Sequence, residues 1–461
     1  MQQQKLKNLP VYVSAFIACL VAFVAGITFS WSSPMLPKLN GNKDPDINPL
    51  GRPATLLEQS WIASLPALGA ILGPLIAGLA ADKLGRKKTL IVIACPVLVS
   101  LLIMAFATSV LEFYIARFIM GVGSGSVFTI LPMYLVEIAE DQNRGTISCL
   151  FSNFISSGFL FTYIVGPYLS VQNFCLVCLI PLLVFIPTCF IWNPESPQFL
   201  ASTNNLKELK ISLSKLRKYK NTEEIEEEVL NVSKTVQDLN QNQCTMKDLF
   251  KSRVLCRALI ITLGLITLQQ FSGITAVIPY METIFEIANS GMVPETSTIL
   301  AGAVQVIATI AASSLVDIVG RKILILVSTT GACFCLIVLG LYFFLKSYDY
   351  SVDAISWLPV ASLILYIVFF NVGLAPIPWT ILGELFPPNI KAKAATIATI
   401  LNFTENFIVV LIFPSLFTYF GMDFAFWFFA IICACGAVII YYFLPETKGK
   451  SLNEIQTLLQ K

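Results

Sequence analysis

Twelve separate runs of apolar residues, each about long enough to cross a bilayer, constrain this chain more than any other feature. In the first half they are Val11–Phe29, Ser60–Ala80, Leu90–Ala107, Leu111–Tyr134, Ile147–Val165 and Phe174–Trp192. In the second half they are Ala258–Tyr280, Thr298–Val316, Leu324–Leu345, Leu358–Trp379, Ala394–Phe417 and Phe424–Phe443. A hydrocarbon layer of about 30 Å needs roughly 20 helical residues to span it. Lipid offers no partner to backbone N–H and C=O groups, so each run must close its own hydrogen bonds as a helix. The composition agrees, with 56% hydrophobic and 13% charged residues among 461, against roughly 25% charged in soluble proteins. The expectation is an all-α membrane protein with twelve transmembrane helices.

Charge and residue counts exclude several kinds of chemistry. A formal net charge of +2 does not suit a nucleic-acid binder, whose affinity comes from neutralising phosphates. The chain has no histidine, which removes the imidazole base, the Ser–His triad and the histidine zinc ligand. Its 12 cysteines lie mostly inside apolar runs, where they read as buried reduced thiols and not as a disulfide framework. No cofactor or metal site is expected, and the oligomeric state is left open. The first run exceeds the ~7–15 apolar residues of a signal peptide and reads as a retained helix.

Between the sixth and seventh runs the composition changes. Glu195–Lys251 is charged, yet Leu206, Leu209, Leu213 and Leu216 recur at helical spacing, predicting short amphipathic helices. The expected units are 1–194, a six-helix bundle; 195–256, a helical linker; and 257–461, a second bundle with a short tail. One set of loops holds Lys83, Arg86, Lys87, Lys88, Arg144, Arg321, Lys322, Lys391 and Lys393, whereas the other holds only Lys38, Lys43, Arg52 and Lys346. The positive-inside bias puts the first set, the linker and both termini in the cytoplasm.

The halves repeat. Asp82-Lys-Leu-Gly-Arg-Lys returns as Asp317-Ile-Val-Gly-Arg-Lys after 235 residues. Glu137 with Arg144 returns as Glu384 with Lys391 after 247, and Pro194-Glu-Ser-Pro as Pro445-Glu-Thr-Lys after 251. Internal duplication at a nearly constant offset is the signature of a transporter whose halves rock about a central site. The resulting expectation is two pseudo-symmetric six-helix bundles.

The ordered set of motifs resembles the sugar porters of the major facilitator superfamily, within them the insect facilitated trehalose transporters and the facilitative glucose transporters. It runs nearly end to end: Trp31-Ser-Ser-Pro, Gly78 to Lys88, Arg117-Phe-Ile-Met-Gly, Pro132 to Glu137 with Arg144-Gly145, and Pro194 to Leu200. The second half adds Gln269-Gln-Phe-Ser-Gly273, Asp317 to Lys322, Pro376-Ile-Pro-Trp379, Glu384-Leu-Phe-Pro387 and Pro445 to Gly449. The resemblance implies a non-enzymatic plasma-membrane transporter of a small sugar.

Two residue groups are candidates for function. Arg86, Lys87, Arg144, Arg321, Lys322 and Lys391 share the cytoplasmic level with Glu137, Glu195, Asp317, Glu384 and Glu446. They could merely mark topology and cap helices. Because carboxylates recur beside the bases, we expect pairs across the two bundles that hold the cytoplasmic side shut. The resemblance implies the same salt-bridge lock, with Lys391 where an arginine is usual. The second group is polar and set in apolar helices: Gln269, Gln270, Gln305, Asn402 and Asn406, with Trp379. Carboxamides carry donors and acceptors together, matching a hydroxyl. On spacing alone they could equally be interhelical hydrogen-bond glue. The resemblance places Gln269, Gln270, Gln305, Trp379, Asn402 and Asn406 on sugar-contacting positions. Thr275 stands where the family has asparagine, with Ser152, Pro279 and Phe403 as further departures. Gly121, Gly123 and Gly125 read as close helix packing, and Pro376–Trp379 as a flexing gate.

The first helix carries no ionisable group, unlike proton-driven porters, which favours facilitative uniport of a hexose or trehalose by alternating access. The alternative is proton–sugar symport through Glu405, an intramembrane carboxylate. A membrane enzyme or a non-transporting sugar receptor is the remaining rival.

Overall fold

The computed structural model describes residues 9–41, 48–140, 142–218, 221–241, 248–450 and 452–460. Every regular element among them is helical. Twelve helical segments are long and apolar enough to cross a membrane. They are α1 Leu9–Gly41, α2 Leu56–Leu84, α3 Arg86–Ala105, α4 Val110–Ile138, α5 Arg144–Tyr168, α6 Val171–Trp192, α7 Arg253–Ala288, α8 Pro294–Ala312, α9 Arg321–Ser347, α10 Asp353–Leu385, α11 Asn389–Phe420 and α12 Met422–Phe443. The helix of α8 continues to Val319. The side at which α1 begins and α12 ends is called the terminal side below, and the opposite one the far side.

Local sequence explains where these helices start and break. Thr55 with Glu58, and Ser109 with Glu112, form capping boxes that open α2 and α4 on the far side; each satisfies N–H groups that the first turn leaves orphaned. Three spans are interrupted. α1 turns at Trp31, α7 breaks at Ser272–Gly273 with Gly273 at φ +101°, and α10 widens into a π-helical turn over Phe370–Leu374. Irregular backbone at membrane depth persists only where protein or a cavity faces it. Each break is covered by protein of its own half: Arg117 of α4 bonds Thr28 and Ser32 beside Trp31, Tyr366 of α10 donates to Ser272 O, and Leu374 N donates to Ser328 Oγ of α9.

The repeated motif is repeated in space. Gly85 between α2 and α3 has φ +89°, and Gly320 between α8 and α9 has φ +109°, a region L-residues rarely adopt. A Cβ at Gly85 would lie 2.5 Å from Glu195 Oε2, and one at Gly320 would lie 3.0 Å from Glu446 Oε2. Each glycine turns the chain so that the next helix presents its first N–H groups to a carboxylate from the end of its own half.

Within the halves α1 packs on α5, α2 on α4, α3 on α6 and, correspondingly, α9 on α12 and α7 on α11. The halves meet along α2 against α11 and α5 against α8. The α2–α4 contact is close enough that a Cβ on Gly121 would sit 2.1 Å from the Pro66 carbonyl oxygen, as the close-packing reading of Gly121 expects. The outer surface exposes Leu79, Phe190, Ile191, Tyr442 and Phe443, side chains that hydrocarbon solvates. On the terminal side the helices Pro197–Ser202, Leu206–Leu216 and Thr222–Gln241 share a small core of Leu200, Leu209, Leu213, Ile225 and Val236. Arg217 fastens that unit to the end of α4: its guanidinium donates to Ile138 O at 3.0 Å and pairs with Glu140 at 2.9 Å and Glu228 at 3.2 Å.

Candidate functional site

The site begins with two prolines in α10. A helical carbonyl normally accepts from the N–H four residues on, and Pro378 has none to offer Leu374. Gln269 of α7 supplies the missing donor, its Nε2 bonding Leu374 O at 2.8 Å and Ala375 O at 3.0 Å. That spends both N–H bonds of the Gln269 amide and leaves its Oε1 buried without a protein partner. Beside it, Gln270 Nε2 donates to Asn402 Oδ1 of α11 at 2.6 Å, and Gln270 Oε1 is likewise unpartnered. Gln305 of α8 is buried with its Oε1 unpartnered too. One turn on, Thr309 donates to Asn371 Oδ1 in the π-helical turn at 3.1 Å and shares a hydrogen bond of 3.0 Å with Ser156 of α5, in the other half.

The broken segment of α10 is thus bonded to α7 and α8, and α7 in turn to α11, with the buried Oε1 atoms of Gln269, Gln270 and Gln305 left without protein partners. An unsatisfied buried acceptor costs about 1–3 kcal/mol, which hydroxyl donors from a ligand would recover. Thr275 turns its hydroxyl to the Gln270 backbone carbonyl at 3.0 Å, a group freed by the α7 break. Trp379 and Asn406 are half-buried on α10 and α11. Ser152 is exposed, whereas its neighbour Asn153 has a buried, unpartnered Oδ1.

Toward the far side the halves are closed. Phe403 of α11 stacks on Phe29 of α1 at 6.0 Å and meets the edge of Phe128 of α4 at 5.5 Å, and Phe407 lies 5.9 Å from Trp61 of α2. Glu282 N donates to Ser33 Oγ at 3.1 Å, and Tyr163 OH donates to Ile278 O at 3.2 Å, both across the halves. Lys38 of α1 donates to the carbonyls of Gly166, Pro167 and Leu169 and is attracted by Glu282 and Glu295 of the second half.

A family model described as sugar (and other) transporter matches residues 9–459. The chain belongs to this family of sugar transporters. The facilitated trehalose transporter Tret1 of Bombyx mori is 34% identical over 457 residues, covering 99% of this porter and 88% of the relative. Tret1 of Polypedilum vanderplanki is 33% identical over 453 residues, with 97% and 88% covered. Among solved structures, the proton:xylose symporter XylE bound to 6-bromo-6-deoxy-D-glucose has a TM-score of 0.77 at 24% identity, covering 98% of this chain and 100% of that one. An inward-open form of the xylose transporter XylE from E. coli gives 0.78 at 22%, with 97% and 99% covered. At these identities the solved structures speak for the fold alone.

The porter's charged motifs pair differently from the sequence expectation. Arg86 binds Glu137 at 3.0 Å, with Ser196 Oγ on the same carboxylate, and Arg321 binds Glu384 at 3.0 Å. Both pairs are internal to one half. Glu195 accepts from the N–H groups of Arg86 at 2.8 Å and Lys87 at 3.0 Å, and Glu446 from those of Arg321 and Lys322, each at 3.0 Å. Across the halves, Lys391 stands within electrostatic reach of Arg144, a like charge, as well as of Glu384 in its own half. The physical reason is local: Gly85 and Gly320 turn the first N–H groups of α3 and α9 onto Glu195 and Glu446 of the same half, which sets Arg86 and Arg321 beside Glu137 and Glu384. Asp317 lies in α8, and its side chain is outside the described residues.

Glu446 yields a pH prediction. Burial pushes its carboxyl up, but the backbone N–H groups of Lys448, Arg321, Lys322 and Thr447 outweigh that and hold it below the usual carboxylate range. A depressed folded value adds stability that is present above the unfolded value and lost as pH falls through the folded one. Thermal unfolding of the porter should therefore shift downward between about pH 5 and pH 3. Glu446→Gln should melt lower than wild type at neutral pH and show a shallower acid slope; parallel curves would refute the assignment.

Sequence reasoning missed several groups. Ser156, Thr309 and Asn371 bridge three helices, and only Asn371 carried a usable signal, a polar residue in an apolar run shortly before Pro376. Arg117 lies in a motif whose pattern gives it no role, and Lys38 reads in the sequence only as a loop charge.

Proposed function

We propose that the protein is a facilitative transporter that carries a hexose or trehalose down its gradient by alternating access. The observation that carries this reading is the set of buried amide oxygens of Gln269, Gln270 and Gln305, acceptors without protein partners on helices that adjoin a broken α10. Neutral hydroxyl donors suit them. The curated relatives named as facilitated trehalose transporters support the same substrate class. In this reading Gln269, Gln270, Thr275, Gln305, Trp379, Asn402 and Asn406 contact the sugar, and Thr275 does so through its hydroxyl oxygen. The terminal side is cytoplasmic, the membrane is the plasma membrane, and residues 1–194, 195–256 and 257–461 act as two rocking bundles and a linker.

The test is counterflow of labelled glucose, fructose and trehalose in sealed proteoliposomes. Accumulation of at least one label against unlabelled sugar, unaffected by collapse of a proton gradient, is the expected result. Folded protein that equilibrates none of the three would refute it.

A further inference from the structure

Glu405 takes no part in the amide row, yet it lies on the same stretch of α11. It is 7% exposed. Its Oε1 accepts from Thr267 Oγ1 of α7 at 2.6 Å, and its Oε2 is buried without a partner. Thr267 and Gln270 are one turn apart on α7, as are Glu405 and Asn402 on α11. The bonds Thr267–Glu405 and Gln270–Asn402 therefore form adjacent rungs between the same two helices.

An intramembrane carboxylate is costly and calls for a functional account. Two accounts compete. A carboxylate that exchanges its proton for a cationic partner needs one beside it, and among the described residues no arginine or lysine side chain is paired with Glu405. The buried Arg117 is bound to Thr28, Ser32 and Ile62 on α1 and α2. A ligand-selecting acceptor instead needs one oxygen anchored, so that the carboxylate is oriented, and the other free beside groups of matching chemistry. Glu405 has that arrangement: Oε1 is fixed by Thr267, and Oε2 is left over next to an amide pair that itself carries a free acceptor.

We propose that Glu405 is a specificity-determining residue of the sugar site, its Oε2 accepting a hydrogen bond from a sugar hydroxyl and its Oε1 held in place by Thr267. The inference rests on the transport reading above. A substrate lacking the contacted hydroxyl leaves this buried oxygen unpartnered, so the site favours hydroxyl-rich saccharides over analogues in which that hydroxyl is removed.

The experiment measures uptake of labelled glucose and trehalose in proteoliposomes, with 2-deoxy-, 3-deoxy- and 6-deoxyglucose as competitors. It uses wild type, Glu405→Ala, Glu405→Gln and Thr267→Val. Wild type should discriminate against at least one deoxy analogue by about 10-fold or more. Glu405→Ala should collapse that ratio while raising KM for the full sugar, Glu405→Gln should retain part of it, and Thr267→Val should keep most of it at reduced rate. Unchanged deoxy ratios in both Glu405 variants, with Thr267→Val losing rate to the same extent, would reduce Glu405 to a helix tie and overturn the proposal. Uptake driven by a proton gradient in wild type and not in Glu405→Gln would overturn it in favour of proton coupling. Wild type that moves no labelled sugar would instead sink the transport reading itself, a result separable from either.

Discussion

Replacing Arg117 by leucine is expected to leave no folded transporter. The guanidinium is 1% exposed and donates to Ile62 O at 2.9 Å, Thr28 O at 2.8 Å and Ser32 Oγ at 2.9 Å. It also lies 5.0 Å above the Trp31 ring. These acceptors are not arbitrary. Ile62 would bond the N–H four residues on, but that residue is Pro66, which has none. Thr28 and Ser32 flank the turn at Trp31 where α1 breaks. One side chain on α4 therefore satisfies backbone that two irregular helices leave open.

Leucine keeps the packing volume roughly and removes every donor. Three buried acceptors at about 1–3 kcal/mol each add up to a loss on the scale of a whole domain's stability of about 5–15 kcal/mol. Lysine at 117 keeps a charge but places a single ammonium where divergent acceptors need a planar fork, so it should rescue little. The measurement is the monodisperse fraction and thermal unfolding after extraction in mild detergent. Arg117→Leu protein that extracts and melts like wild type would show that water, and not Arg117, satisfies those carbonyls.

How much of this was legible in the sequence varies with the physics involved. The twelve spans were readable because lipid imposes one rule on every run, and the repeat was readable because the glycine, arginine and carboxylate motifs recur in order. Gln269, Gln270 and Asn402 stood out as polar residues in apolar surroundings. What their amides bond was not legible, since the Gln269 contact depends on a carbonyl that Pro378 frees 105 residues away along the chain. The Ser156–Thr309–Asn371 bridge was hidden because serine and threonine are common in membrane helices, where they usually bond the preceding turn. The charged groups were legible as a set, but not which of them pair within a half. Arg86, Glu137, Arg321 and Glu384 could join within or across halves, and only the conformation chooses. Far-side closure by Phe29, Phe128 and Phe403 had no signal among 34 phenylalanines.

Neutralising either Glu384 or Arg144 is expected to shift the transporter toward the conformation seen here, closed on the far side, and to slow uptake. The argument is differential. In this conformation Glu384 already has Arg321 at 3.0 Å, and Lys391 feels both Glu384 and, from the other half, Arg144. The expectation is that closing the terminal side brings Arg144 to Glu384, the carboxylate within electrostatic reach of Lys391, and so favours one state over the other. A charge-assisted hydrogen bond worth about 1.5–3 kcal/mol corresponds to a change in the two-state ratio of roughly 10- to 100-fold. The effect should be shared: in a double-mutant cycle, Glu384→Gln with Arg144→Gln should shift the ratio little further than either alone. Arg86→Gln provides the contrast, since the Arg86–Glu137 pair is internal to one half; it should lower the unfolding temperature and leave the ratio nearly unchanged. Distance distributions between spin labels on the two halves at the far side read the ratio directly, and uptake in proteoliposomes reads its consequence. Wild-type distributions and wild-type uptake in both single variants would remove the lock.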